Sequence, residues 1–146
     1  MKVVSKPLEG VLVLEPKVFG DTRGFFLESY NQRVFAEIGI DAHFVQDNHS
    51  LSSRNVVRGL HYQVRQVQGK LVRVVAGEIL DVVVDLRRRS PTFGRWSSVP
   101  LSGERCDPLQ AKSANRRLQC AVLFGKLKNH AGSSISCSDA FGCEGA

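Results

Sequence analysis

The sequence predicts an all-β protein, an antiparallel sandwich or barrel with one short helix. Three observations predict it. Short strand-like segments recur over residues 1–104, roughly every eight to twelve residues, with turn signals between them. Only one segment carries helical periodicity. No regular strand–helix alternation appears, which sets aside a parallel nucleotide-binding sheet.

Each element follows from its residues. Val11-Leu12-Val13-Leu14 is an apolar run closed by Pro16. Phe25-Phe26-Leu27-Glu28-Ser29-Tyr30 is rich in aromatics and follows the turn Gly20-Asp21-Thr22-Arg23-Gly24. The helix comes next: Asn31 can cap it, Val34, Phe35 and Ile38 share a face, and Gly39 can end it. Phe44-Val45 opens a run that leads into Gln46-Asp47-Asn48. Residues 56–62 and 71–76 are β-branched or apolar, separated by a polar stretch ending in Gly69. Residues 79–86 form the cleanest strand, with Leu80, Val82, Val84 and Leu86 on one face and Asp81 and Asp85 on the other.

The character changes after Glu104. Lys112-Ser113-Ala114-Asn115-Arg116-Arg117 is followed by one apolar patch over residues 121–124. Residues 132–146 are dominated by Gly, Ser, Ala and Cys. With neither alternation nor helical period, residues 105–146 are expected to form an irregular or disordered tail, separate from the 1–104 part.

Composition narrows the class. Hydrophobic residues make up 42% and charged residues 23% of 146 positions, ordinary for one globular domain. No apolar run is long enough for a membrane helix, and Met1-Lys2-Val3-Val4-Ser5-Lys6-Pro7 lacks the apolar core of a signal peptide. A cytoplasmic protein without a membrane partner is expected. The net charge is +6 and the pI about 9.5, a balance that suits nucleic acid or a diphosphate. The basic residues are scattered, apart from Arg87-Arg88-Arg89 on an expected solvated turn before Ser90-Pro91-Thr92, so a nucleic-acid partner is not expected. All four cysteines, Cys106, Cys120, Cys137 and Cys143, follow residue 105 without a Cys-x-x-Cys pair, and His130 is the only nearby histidine. Free thiols are expected rather than a zinc site or a disulfide framework.

The candidate chemistry lies in the first part. Arg58-Gly59-Leu60-His61-Tyr62-Gln63 falls on an expected strand, so Arg58 and His61 point to opposite faces unless Gly59 marks a bulge. Histidine is the side chain best able to exchange a proton near neutral pH; from this hexapeptide alone a structural histidine is the simpler reading. Arg23 and Glu28 flank Phe25 and Phe26, Gln46 and Asn48 end the next run, and Lys70 opens a strand after Gly69. An arginine fork suits phosphate oxygens, and a lysine ammonium suits a developing oxyanion.

These stretches resemble the dTDP-4-dehydrorhamnose 3,5-epimerase family. The resemblance is carried by Phe19-Gly20-Asp21-Thr22-Arg23-Gly24-Phe25-Phe26-Leu27-Glu28 and Phe44-Val45-Gln46-Asp47-Asn48-His49-Ser50. It continues in Arg58-Gly59-Leu60-His61-Tyr62-Gln63 and Gln68-Gly69-Lys70-Leu71-Val72-Arg73-Val74. Residues 77–87 and Ser90-Pro91-Thr92-Phe93-Gly94 complete it. The resemblance implies an antiparallel, cupin-like jelly-roll barrel, a homodimer, and no metal or organic cofactor. It implies a dTDP-sugar substrate, dTDP-4-dehydro-6-deoxy-D-glucose, epimerised at C3 and C5 beside its C4 ketone. His61 matches the base and Lys70 a residue that helps stabilise the enolate oxygen. Arg23, Glu28, Gln46, Asn48 and Arg58 match positions that hold nucleotide and sugar, with Phe26 packing on the thymine. A metal, the other use of such barrels, is not expected because His61 lacks a His-x-His partner.

The resemblance stops soon after Gln110. The family's acid tyrosine and the aspartate paired with the base have no counterpart: the only tyrosines are Tyr30 and Tyr62, and the late aspartates Asp107 and Asp139 stand in other contexts. The break is the one expected of a reading-frame change or rearrangement that replaced the C-terminal strands, and an incomplete barrel is then expected, whose sheet edges and apolar faces invite association. Severely reduced epimerase activity is therefore expected. The competing readings are a non-catalytic dTDP-sugar-binding remnant and a related dTDP-sugar ketoisomerase; the His61 motif and Gln68-Gly69-Lys70-Leu71 favour the epimerase over the latter.

Overall fold

A computed structural model describes residues 1–65 and 67–103 in full, and beyond them the backbone of three strands. In chain order the elements are β1 (Lys2–Ser5), β2 (Val11–Glu15), β3 (Val18–Asp21), β4 (Gly24–Leu27), α1 (Gln32–Glu37), β5 (Phe44–Ser52) and β6 (Val57–His61). There follow β7 (Gln68–Ala76), β8 (Glu78–Asp85), β9 (Trp96–Ser102), β10 (Leu109–Lys112), β11 (Leu118–Leu123) and β12 (Ser133–Phe141). The expected all-β class with one short helix is what forms. The irregular tail expected over 105–146 is corrected at β10, β11 and β12. Those segments lack the alternation that marks a strand, yet they pair with strands on both sides. Cys106, Asp107, His130 and Cys143 lie outside the described residues.

The strands build two antiparallel sheets in a jelly-roll arrangement, ordered β1-β2-β10-β7-β12-β5 and β6-β11-β8-β9, with β3-β4 as a separate hairpin. Among the described residues they do not close into one continuous barrel. The space between the sheets is filled at one end by Val72 and Val74 of β7 against Ile79 of β8 and Leu101 of β9. Val11 of β2 meets Val83 of β8 further along. Beneath the first sheet, Phe35 of α1 is fully buried against Leu14 and Leu71, with Tyr30 and Phe44 edge-on to its ring side (Tyr30–Phe35 centroids 5.1 Å, Tyr30–Phe44 5.2 Å). Burying one such side chain contributes roughly 1.5–3 kcal/mol, so a six-residue helix that could not persist alone is held by packing.

The helix ends as expected. The Asn31 side chain accepts from the Arg33 and Val34 amides at 3.1 and 3.4 Å, and Gly39, at φ +86°, lets the Ile40 amide return to the Phe35 carbonyl at 2.8 Å. At the opposite end of the molecule Gly77 turns β7 into β8. Gly103 lies so close that an added Cβ would stand 2.6 Å from the Val75 carbonyl carbon.

On β8 the alternation is as expected, but the buried face is the one that carries the carboxylates: Ile79, Asp81, Val83 and Asp85. A buried carboxylate must be satisfied, and Asp85 is. Its two oxygens take the Arg87 Nε and Nη2 donors at 2.9 and 2.8 Å and the Ser90 and Thr92 hydroxyls at 2.5 and 2.6 Å. Arg87 also donates to the Glu9 carbonyl at 2.8 Å, tying the β8–β9 turn to the β1–β2 loop. The solvated basic triplet expected from the sequence is thus corrected at one position. Arg88 and Arg89 are exposed, whereas the Arg87 side chain is 11% exposed and committed to Asp85. The Arg87 fork holds the Asp85 carboxyl well below the usual carboxylate range and raises Arg87 in turn. Among the described residues no helix is long and apolar enough to cross a membrane.

Candidate active site

His61 ends β6, and its orientation depends on Gly59. Against β11 the register runs Val122↔Arg58 and Cys120↔His61, so three steps on β6 match two on β11. Gly59, at φ +125°, absorbs the extra residue as a bulge, a conformation that favours glycine. Val122 and Cys120 are two residues apart and their register positions share one face, which brings Arg58 and His61 onto that face together. Of the two orientations open in the sequence, the bulge is the one adopted. The same two positions of β11 register with Asp81 and Val83 of β8, so this is the face directed between the sheets.

The other sheet supplies the opposing wall. β12 lies between β5 and β7, with Asp139 in register with both Gln46 and Lys70, and Cys137 with both Asn48 and Val72. Gln46, Asn48 and Lys70 therefore share the face of Val72, which belongs to the inter-sheet core. Five candidate residues thus converge on the inter-sheet space from two sheets: Arg58 and His61 from one, Gln46, Asn48 and Lys70 from the other. Arg58, His61, Gln46 and Asn48 are exposed and Lys70 is half-buried, so the polar end of this space is open, in contrast to the packed end at Ile79.

Local bonds orient these groups. Gln46 Nε2 donates to Asn48 Oδ1 at 3.0 Å, aligning the two amides along β5. Arg58 Nε donates to Ser52 Oγ at 3.0 Å and so ties β6 to the end of β5. Lys70 Nζ reaches Gln68 Oε1 at 3.4 Å.

The remaining three candidates are not part of that convergence. Phe26 lies on the separate β3–β4 hairpin and is 71% exposed. Arg23 sits in the hairpin's turn and forms a fork with Asp21, at 3.1 Å through Nε and 2.5 Å through Nη2. That fork lowers the Asp21 carboxyl and raises the Arg23 guanidinium from their ordinary values. Glu28 follows the hairpin and accepts from Asn31 Nδ2 at 3.0 Å, which links it to the helix cap. Within this chain the hairpin presents an exposed apolar and basic surface rather than a wall of the cleft.

Sequence reasoning passed over Asp81, Ser52, Gln63 and Gln68. Asp81 was visible in the alternation of β8, but only the topology shows that its face turns inward. Among the described residues no group of three His, Cys, Asp or Glu side chains could hold a metal ion.

The chain is similar to known proteins over most of its length. The family model for dTDP-4-dehydrorhamnose 3,5-epimerase matches residues 5–110. The enzyme of that name from Pseudomonas aeruginosa is 61% identical over 105 residues, 71% of this chain and 58% of the relative. That from Shigella flexneri is 58% identical over 106 residues, covering 71% and 59%. The chain thus spans somewhat under three-fifths of these relatives. Among solved structures, the Legionella pneumophila dTDP-6-deoxy-D-glucose-3,5-epimerase in complex with dTDP-4-keto-L-rhamnose superposes with a TM-score of 0.86 at 38% identity, covering 98% of this chain and 73% of that one. The Bacillus anthracis dTDP-4-dehydrorhamnose 3,5-epimerase with bound TDP and PPi gives 0.86 at 33%, covering 98% and 79%.

Proposed function

The chain belongs to the dTDP-4-dehydrorhamnose 3,5-epimerase family, and on that premise we propose that it binds a dTDP-linked 4-keto sugar and removes protons at C3 and C5 through His61. The observation that carries this reading is the convergence of His61 and Arg58 with Gln46, Asn48 and Lys70 on one open inter-sheet space. The C4 ketone acidifies both neighbouring carbons, and each abstraction leaves charge on the same carbonyl oxygen. A lysine ammonium on the opposing wall suits that oxygen, and a histidine suits the proton. Arg58, Gln46 and Asn48 offer donors to sugar and phosphate oxygens. Relatives solved with dTDP-4-keto-L-rhamnose or with TDP support the ligand class.

Complete epimerisation needs an acid on the other face of the sugar. Residues 111–146, where the resemblance has stopped, hold no tyrosine in the family's context, and on that ground reduced turnover is the expected outcome for this stretch of chain. Residues 1–104 carry the epimerase machinery, and residues 105–146 contribute strands but not the family's chemical groups. Arg23, Phe26 and Glu28 serve the nucleotide by carry-over from the family, the hairpin closing on ligand or on a second subunit. A homodimer is supported by the exposed Phe19, Phe25 and Phe26 on that hairpin, and a cytoplasmic location follows from the sugar-nucleotide substrate.

The test is solvent deuterium uptake at C3 and C5 of dTDP-4-dehydro-6-deoxy-D-glucose, followed by mass spectrometry. Slow uptake that disappears in His61→Asn supports the proposal; turnover equal to that of a full-length relative overturns the expected reduction. Tight dTDP binding with no uptake favours the second reading, a binding remnant, for which the missing tyrosine is the specific motive.

A further inference from the structure

Lys70 carries the proposed oxyanion role, yet a lysine has a long flexible stem and must be held to act at one point. One of the contacts that hold it leads back towards the histidine strand. Gln63 lies two residues beyond His61, and Gln68 two residues before Lys70. Gln63 Oε1 accepts the Gln68 backbone N–H at 3.0 Å, and Gln63 Nε2 donates to Gln68 Oε1 at 2.7 Å. The same Gln68 oxygen accepts from Lys70 Nζ at 3.4 Å.

The polarity of this chain is fixed at both ends. A backbone N–H can only donate, so the Gln63 oxygen must face it and the Gln63 nitrogen must face Gln68. An ammonium can only donate, so Gln68 must turn its oxygen towards Lys70, the same oxygen that Gln63 requires. Neither amide can flip without breaking two contacts, and all of these bonds are partly buried.

We propose that Gln63 and Gln68 form a positioning clasp that sets Lys70 relative to His61 for the reaction. The clasp closes the connection between β6 and β7, the strands that bear the base and the ammonium. Its catalytic meaning rests on the proposed function; its effect on Lys70 does not.

The experiment separates the two. In Gln68→Met the side chain keeps its length and loses the acceptor; in Gln68→Glu the acceptor stays. Acetylation of Lys70 by limiting acetic anhydride, read by mass spectrometry relative to the exposed Lys6, is expected to rise about fivefold in Gln68→Met, the equivalent of one ordinary hydrogen bond. Gln68→Glu is expected to restore wild-type labelling, and Gln63→Ala to raise it in the same direction as Gln68→Met. Equal Lys70 labelling in wild type, Gln68→Met and Gln63→Ala overturns the clasp. Where deuterium uptake is measured, Gln68→Met lowers the rate at saturating sugar nucleotide while dTDP affinity stays unchanged; an equal loss of affinity overturns the positioning role. Absence of uptake in the unsubstituted chain counts against the proposed function alone and leaves the labelling result to decide the clasp.

Discussion

Two regions of this molecule differ in what their residues do. Residues 1–103 hold the family motifs, the packed cores and all eight candidate site residues. The strands β10, β11 and β12 hold none of the candidate site residues, yet each enters the middle of a sheet: β10 between β2 and β7, β12 between β7 and β5, β11 between β6 and β8. Without them the first region keeps only the pairs β1-β2, β3-β4 and β8-β9, and the walls of the cleft are not joined. Chemical identity and structural continuity are thus carried by different stretches of one chain.

The largest effect should come from removing the second region. A chain ending at Gly103 is expected to show no cooperative thermal transition and to aggregate, because six strand edges lose their partners at once: one each on β2, β5, β6 and β8, and both on β7. Circular dichroism on heating and gel filtration check this; a monomer that melts cooperatively would make the first region a self-sufficient unit.

Next comes the buried charge within the first region. Asp85→Ala leaves the largely covered Arg87 with Glu9 as its remaining acidic partner and is expected to cost about 3 kcal/mol in denaturant unfolding. The pH dependence has a definite sign. Asp85 is depressed in the folded state, so its contribution is present above the unfolded carboxylate value of about 3.9 and is lost as pH falls below it. Asp85→Asn should flatten the acid limb of the stability curve.

A narrower probe of the second region is Cys137→Pro, which removes a ladder N–H from β12 between β5 and β7. A proline in a central strand leaves one ladder carbonyl without its donor and is expected to destabilise by about 1–3 kcal/mol; a cost near zero would mean that β12 is not central. The smallest effect on stability belongs to the site. His61→Asn, exposed at a strand end, should change unfolding free energy by no more than about 0.5 kcal/mol while abolishing deuterium uptake.

How much of this was legible in the sequence follows the same division. The helix with its Asn31 cap and Gly39 stop, and the strand of residues 79–86, declared themselves through period and capping chemistry. The inward turn of Asp81 and Asp85 did not, because alternation reveals two faces without saying which is covered. The shared face of Arg58 and His61 depended on a bulge that a glycine permits but does not compel. In β12, Ser133-Ser134-Ile135-Ser136-Cys137-Ser138 shows no strand pattern, since its place comes from ladders offered by β5 and β7 rather than from its own side chains. Lys70 was legible by type, but the Gln63–Gln68 bonds that orient its Gln68 partner depend on how the chain folds back between β6 and β7, which no periodicity announces.

The seating of β12 between β5 and β7 also sets an order of events during synthesis. A ribosome delivers β5 and β7 first, and the strand that joins them emerges some sixty residues after β7 ends. Until then the nascent chain presents two matched, vacant slots, and a neighbouring nascent chain carries the same strand to fill them. Yield in the cell should therefore depend on polysome crowding and holdase supply more steeply than the stability of the finished molecule would suggest.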